Sequence, residues 1–267
     1  MIARAQPMAA SGLRQQVTTT DLLKAAALVF VFVDHWGHYF APDEIWWRVV
    51  GRASLPVWFF LIGFARSRTT AWTWIGLGVA LSLLDLWREG SFAGAQLSIL
   101  LNFAAILLAL PAIERHVWPQ SSRIILLVGV LALLSPYANQ IVEYGTEGWL
   151  LALVGLAHRH WLDAPDRGTL TLRITLALAA GLLFILVETQ DYGFEGMEIV
   201  ALVAIVAGVS LLLFGFRRAT LEWPLPAPVA TLLRFCGRHS LTIYAAQIVV
   251  FTALAALLID ASDDGDE

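Results

Sequence analysis

Runs of apolar residues recur along the whole chain and restrict its possible folds more than any other feature. Each run is about 17 to 22 residues long, which as a helix spans the hydrocarbon core of a bilayer, about 30 Å thick. Hydrophobic residues make up 58% of the 267 residues and charged residues only 14%, too few charges for a soluble domain of this size. The runs are rich in Leu, Ala, Val and Gly, which favours helices over barrel strands. The sequence therefore predicts an all-α, polytopic integral membrane bundle.

We predict nine transmembrane spans with short connections. They lie near residues 22–40, 52–66, 70–87, 94–113, 122–138, 146–160, 170–188, 195–214 and 239–259. Pro224, Pro226 and Pro228 are expected to break any helix between the last two spans. The chain then divides into a cytoplasmic segment (1–20), a transmembrane domain (21–259) and an acidic, disordered tail (260–267).

The placement of Lys and Arg predicts the orientation of these spans. Alternate connections hold most of the basic residues, namely Arg4, Arg14, Lys24, Arg66, Arg68, Arg115, Arg123, Arg159, Arg167, Arg173, Arg217 and Arg218. The other connections hold only Arg48, Arg52 and Arg88 beside several acidic residues. Because cytoplasmic loops are enriched in positive charge, the N-terminus is expected in the cytoplasm and the C-terminus outside.

The first span carries ionisable residues at both ends. Asp21 is its predicted N-cap, Lys24 lies in its first turn, and Asp34, His35 and His38 lie at its other end. At 100° per residue, Lys24 and His35 differ by only about 20° around the helix axis and lie about 16 Å apart along it. Since such groups are costly in lipid, this face is expected to point into the bundle or into a watery cavity.

This cluster has several interpretations. A carboxylate can orient an imidazole and stabilise its protonated form, which is the support that a histidine needs as a general base. Neighbouring residues on a helix do not face each other, so Asp34 could instead orient a different group. The cluster could also simply mark where the helix leaves the membrane. A metal site is not expected, because His35 and His38 lack further ligands and Cys236 is the sole cysteine.

The first two spans resemble the TraX family, typified by the conjugative F-pilin acetylase. The likeness rests on DLLKAAALVFVFVDHWGHYF and WWRVVGRASLPVWFFLIGFARSRT, within residues 20–70, and extends to YGTEGWLLALVGLAHR and GRHSLTIYAAQ. The pattern is a Lys near the start of the first helix, an Asp-His at its end, and a Gly-Arg…Pro…Phe-Leu-Ile-Gly block. More distantly, the chain is similar to transmembrane acyltransferases, including O-acetyltransferases of surface polysaccharides and the lysosomal glucosaminide acetyltransferase.

The resemblance implies acyl transfer with acetyl-CoA as donor. His35 would be the catalytic histidine and Asp34 the neighbouring acid of the motif. The chain departs from the pattern at Gln247, where such proteins often have a histidine, and Arg66-Ser-Arg68 is a weak substitute for the Arg-x-x-Arg of the wider superfamily.

Further basic residues are candidates for binding. Arg48 and Arg52 are four residues apart and could bind pantetheine, an anionic acceptor or a developing oxyanion, or could simply reach toward water at the interface. The Gly51-Arg52 pair shared with the family favours Arg52. A cytoplasmic group could hold the CoA phosphates, although positive-inside charge explains it equally well. This group comprises Arg217, Arg218, Arg234 and Arg238.

Acidic and aromatic residues near other span ends are weaker candidates. Glu143, Glu147 and Glu188 could line an acceptor pocket, but a solvated outer rim is favoured. His239 and Tyr244 are interpreted as packing residues.

The preferred hypothesis is therefore a multi-pass acyltransferase of the bacterial inner membrane. His35 and Asp34 are its predicted catalytic pair. Lys24, His38, Arg48 and Arg52 are its predicted substrate-binding residues, and Arg217, Arg218 and Arg238 would hold the acetyl-CoA. Its partners are the bilayer, acetyl-CoA and an acceptor that is a pilin, a glycan or a lipid, and no nucleic acid is expected. A proton-coupled transporter using Asp34 and His35, or a non-catalytic assembly factor, are the alternatives.

Overall fold

The computed structural model describes residues 16–67, 71–90, 95–222 and 225–263, and within these ranges every regular element is a helix. The helices are α1 (Thr19–Phe40), α2 (Trp46–Gly51), α3 (Ser54–Phe64), α4 (Ala71–Glu89), α5 (Ile99–Ala112, continued by a π-helical turn, Ile113–Val117), α6 (Ser121–Ala138), α7 (Glu147–Asp163), α8 (Arg167–Tyr192), α9 (Met197–Phe214) and α10 (Ala227–Asp263). The predicted all-α class is confirmed.

Five of the described helices are long and apolar enough to cross a membrane. They are α5 with its π-helical turn, α6, α8, α9 and the Ala227–Leu258 part of α10. The predicted second span (52–66) corresponds to α3, and the short α2 precedes it and ends at Gly51. Each predicted span overlaps a helix, but nine crossings and a cytoplasmic N-terminus stay predictions.

The start of α1 differs from the predicted one. Thr18, not Asp21, is the N-cap, and its hydroxyl accepts a hydrogen bond from the Asp21 N–H at 3.1 Å. The Asp21 carboxylate in turn accepts from the Thr18 N–H at 2.9 Å, which completes a capping box. Asp21 therefore still stabilises this end of the helix, from the third helical position.

The last helix begins earlier and ends later than predicted. It starts at Ala227, so Pro228 lies in its first turn, where a missing N–H costs nothing. A kink follows at His239 (φ −109°, ψ 17°), where the predicted span begins. The helix continues through Asp263, into the segment predicted to be disordered; Pro224, residues 1–15 and residues 264–267 lie outside the described residues.

Helices α3 and α7 form the centre of the bundle. Nearly every α3 residue is buried, and Phe59 packs against Phe103 of α5 with ring centroids 4.9 Å apart. Two glycines allow the close approach of α3 to α7. A Cβ on Gly63 would lie 1.7 Å from the Ala152 carbonyl oxygen, and one on Gly155 would lie 2.0 Å from the Phe60 carbonyl oxygen. Small residues at helix contacts of this kind are typical of membrane bundles.

The surrounding helices expose large apolar side chains, as expected for surfaces that face lipid. Examples are Leu126, Leu133, Leu178, Leu182, Leu211 and Leu257.

Candidate functional site

Asp34 is held by two arginines at the end of α1. Its carboxylate accepts hydrogen bonds from Arg48 at 2.8 Å and from Arg52 at 2.6 Å. The Asp34 carbonyl oxygen accepts a further bond from Arg48 at 3.1 Å. Gly51 makes this approach possible, because a Cβ there would lie 2.3 Å from the Asp34 Cβ. The short α2 helix thus brings both guanidinium groups to the buried carboxylate.

Arg52 is fully enclosed and joins α1 to two later segments. It pairs with Glu188 of α8 at 3.1 Å and donates to the Tyr144 hydroxyl at 3.0 Å. Its guanidinium also lies 4.4 Å from the centroid of the Tyr192 ring, whose hydroxyl accepts from Arg48 at 2.7 Å. A buried cation needs such partners, since desolvation is otherwise very costly.

This network forms one wall of a cavity of about 580 Å³. The cavity lies between α1, α4, α6, α8 and α10 and the connection from α6 to α7. Many of its lining residues are charged or can titrate: Asp34, His35, His38, Arg48, Asp85, Arg88, Glu143, Glu147, Glu188 and Asp191. We call it the outer cavity, because its lining comes from the end of the bundle predicted to face outward.

Carboxylates on one side of the outer cavity surround Asn139. The Asn139 amide donates to Glu147 and to Asp191, each at 3.4 Å. Glu147 is only 1% exposed and Glu188 only 2%, so the expectation of a solvated rim is wrong for both residues. Glu147 lies in the first turn of α7, and Glu188 lies one turn before the end of α8, where it pairs with the enclosed Arg52 at 3.1 Å.

The α6–α7 connection itself contributes Glu143 and Tyr144. The Glu143 carboxylate accepts from the Ile99 N–H at 2.7 Å, yet burial raises the pKa of Glu143 to about 7. Burial likewise raises the pKa of Tyr144 above its ordinary value. Tyr144 has a left-handed backbone (φ 59°), an uncommon conformation that directs its hydroxyl to Arg52.

His35 borders the outer cavity, and its ring makes aromatic contacts. The centroid of its imidazole lies 5.7 Å from that of Tyr244 and 6.4 Å from that of Tyr39. Its Nδ1 atom is buried and has no hydrogen-bond partner among the described residues. His35 also lines a second, smaller pocket on the side nearer the start of α1. His35 therefore lies where the two cavities meet, and one of its ring nitrogens is not held by a protein hydrogen bond among the described residues.

Sequence comparison identifies the family of this chain. The family described as TraX protein matches residues 19–169, more than half of the chain. The chain belongs to the TraX family. No curated protein and no solved structure matches it. The matched region of this TraX chain contains Asp34, His35, Arg48 and Arg52, whereas Glu188 lies beyond it.

The predicted substrate-binding residues of this TraX protein separate into two groups. Arg48 lines the outer cavity, as does His38, which lies 3.2 Å from an Arg88 nitrogen. Arg52 has no exposed surface and holds Asp34 instead. Lys24 lies toward the opposite end of α1 and donates to the Gly237 carbonyl oxygen at 3.1 Å.

The predicted CoA-binding residues lie with Lys24 at that opposite end. The Arg217 carbonyl oxygen accepts from the Thr19 hydroxyl at 2.8 Å, and Arg218 follows it on the exposed surface. Arg238 is exposed beside Gly237. These residues form one basic surface, which lies at the opposite end of α1 from His35.

Sequence reasoning did not identify the aromatic members of the site. Tyr144 and Tyr192 contact the arginines, and Tyr244, interpreted as a packing residue, contacts His35. Tyr144 carries a usable signal, because it precedes Gly145 in a segment that resembles the family. Gln247 is buried, and neither of its amide atoms has a partner among the described residues. Within those residues no group of His, Cys, Asp and Glu is arranged to hold a metal.

Proposed function

We propose that this TraX chain is a membrane acyltransferase. It would transfer an acetyl group from acetyl-CoA to a protein N-terminus or to a glycan or lipid at the cell surface, in the bacterial inner membrane. The observation that carries the proposal is the location of His35, which borders both an outer, charged cavity and an inner pocket. Membership of a family typified by an acetylase supports the same reaction class.

His35 acts as a transient acyl carrier in two steps. In the first step its unprotonated ring nitrogen attacks the thioester carbonyl carbon, a C–N bond forms and the C–S bond breaks. CoA leaves as the thiol, with the proton from the other ring nitrogen. In the second step an acceptor amine or hydroxyl attacks the acyl carbon, the C–N bond breaks, and the acceptor proton returns to the imidazole. Covalent catalysis of this kind divides one difficult transfer into two easier ones.

The charged network stabilises this chemistry. Arg48 faces the outer cavity and offers positive charge to the oxygen that becomes negative as the acyl carbon is attacked. Asp34 and Arg52 act as positioning residues, because their ion pair fixes the end of α1 against α2. The basic surface at the other end of α1, with Lys24, Arg217, Arg218 and Arg238, would bind the CoA phosphates.

A proton-coupled transporter is the second candidate. The buried carboxylates of Glu147 and Glu188 favour it, since such groups often mark proton pathways in membranes. A transporter would not consume acetyl-CoA, so the two functions are separable.

The test uses membranes of cells that naturally make the protein, because these contain the acceptor. Acetyl-labelled acetyl-CoA is added, and label is measured separately in protein, glycan and lipid fractions. Membranes with the wild-type chain are expected to label one fraction, and membranes with His35→Ala to lose that label. His116→Ala is the matched control, since His116 is exposed and outside both cavities, and should retain it. Label that persists at the wild-type level in His35→Ala membranes would refute the proposal.

A further inference from the structure

A small pocket lies beside His35 on the side nearer the start of α1. Its volume is about 30 Å³, and it shares Asp34, His35, Tyr144 and Tyr244 with the outer cavity. Ser54 and Ser240 are the polar members of its remaining lining. The other members are apolar: Val31, Leu55, Trp58, Ile99, Leu100, Phe103 and Leu241. Away from the residues that they share, the two cavities that meet at His35 therefore differ in character, one charged and one mainly apolar. We call the small one the inner pocket.

The order of residues along three helices shows that the inner pocket is deeper in the bundle. Val31 is one turn before His35 on α1, and Leu241 is nearly one turn before Tyr244 on α10. Leu100 and Phe103 follow Ser98 of the outer cavity along α5. An acyl group attached to His35 can therefore extend its hydrocarbon part away from the outer cavity.

We propose that the inner pocket receives the hydrocarbon part of the acyl group and limits its length. This inference rests on the proposed acyl transfer at His35. The inner pocket, at about 30 Å³, is far smaller than the outer cavity of about 580 Å³. It therefore favours a short hydrocarbon chain, such as the methyl group of an acetyl, over a long one.

Trp58 and Leu241 are the specificity-determining residues. Both side chains are half-buried, so that shortening either one removes less packing than shortening the buried Leu100 or Phe103. Trp58 is the largest residue in the lining, and its replacement by alanine enlarges the pocket most. An apolar pocket that is one methylene too small typically discriminates about tenfold or more.

The experiment measures acyl-CoA binding as thermal stabilisation of the detergent-purified full chain. Acetyl-, propionyl-, butyryl- and hexanoyl-CoA are titrated, with plain CoA as the reference. The wild type is expected to bind acetyl-CoA most tightly and hexanoyl-CoA at least about tenfold more weakly. Trp58→Ala is expected to remove this difference, and Leu241→Ala to reduce it.

Trp74→Ala is the matched control for Trp58→Ala. Trp74 is also half-buried and packs against Phe103, with ring centroids 6.0 Å apart, but it does not line the inner pocket. This variant should retain the wild-type order of acyl-CoAs. If Trp58→Ala shows no cooperative melting, the acyl-CoA preference of Leu241→Ala is compared with that of the wild type instead.

The outcomes separate the two proposals. Equal binding of all acyl chain lengths by the wild type would overturn the inner-pocket proposal but leave acyl transfer intact. An unchanged preference in folded Trp58→Ala and Leu241→Ala proteins would overturn it as well. Absence of stabilisation by any acyl-CoA, in a wild type that melts cooperatively, would instead refute the acyl donor and with it the proposed function.

Discussion

At the scale of single residues, the charges around Asp34 decide the geometry of the site. One carboxylate accepts from two arginines, and Arg52 has a second carboxylate partner in Glu188. Ionised groups are tolerated in a bundle interior only when they are paired and hydrogen-bonded. Removing one member therefore leaves the buried charges of the others with too few partners to offset the cost of their desolvation.

Asp34→Asn is expected to destabilise the protein by about 3 kcal/mol, since it leaves buried positive charge on Arg52 and Arg48. Asp163→Asn, at the exposed pair with Arg66, should cost less than about 1 kcal/mol. Denaturant unfolding of both variants in detergent measures these losses. Equal losses would show that the buried network contributes no more than a surface pair.

Glu143 makes stability depend on pH. Its pKa rises from an ordinary value of 4.5 to about 7 in the folded chain because of burial. Between these values the folded state keeps a proton that the unfolded state releases. Its contribution to stability is therefore full below the ordinary pKa and is lost as the pH rises through about 7.

Glu143→Gln is expected to remove this dependence. A glutamine can still accept from the Ile99 N–H but carries no charge. The melting temperatures of both proteins are measured in detergent at pH 5 and pH 8. The melting temperature of the variant minus that of the wild type should be larger at pH 8 than at pH 5. A constant difference between the two proteins across this range would contradict the assigned burial of the carboxylate.

At the scale of helices, the contact between α3 and α7 holds the centre of the bundle together. The contact depends on Gly63 and Gly155, each of which lies against a carbonyl oxygen of the other helix. Gly155→Ala is expected to force the helices apart and to lower the melting temperature. Gly208→Ala on α9, where a Cβ meets no atom within 4 Å, is the control and should leave the melting temperature unchanged or raised.

If the two alanine variants melt at the same temperature, close packing of α3 on α7 is not what stabilises the bundle. Expression level in membranes gives a second reading of the same effect, because loosely packed bundles are degraded.

The helices could be predicted from the sequence because the length of an apolar run is a local property of the chain. Contacts could not be predicted, because they join residues that are distant in the chain: Arg52 pairs with Glu188, and Lys24 reaches Gly237. The ionisable face of α1 indicated the site, and Asp34 indeed partners other residues than His35. The burial of Glu147 was missed, since a carboxylate at a helix end looks the same in sequence whether it is solvated or enclosed.

At the scale of the whole molecule, the two ends of the bundle differ in charge. The outer cavity is rich in carboxylates, whereas Lys24, Arg217, Arg218 and Arg238 lie at the start of α1. This asymmetry agrees with the positive-inside rule if the N-terminus is cytoplasmic.

Cysteine labelling of intact cells tests this orientation. In a Cys236→Ser background, Asp43→Cys and Glu195→Cys are expected to react with a membrane-impermeant maleimide, because both exposed positions follow helices that end at the side predicted to face outward. Asp166→Cys, between α7 and α8, should react only after the cells are opened. The reverse labelling pattern would show that the whole bundle has the opposite orientation in the membrane.

The most direct test of the account is isotope exchange between labelled CoA and acetyl-CoA, catalysed by purified protein without any acceptor. An acyl carrier at His35 makes the first step reversible, so label should enter acetyl-CoA with the wild type and with His116→Ala, but not with His35→Ala. Absence of exchange by folded wild-type protein, or undiminished exchange by His35→Ala, would contradict acyl transfer through His35.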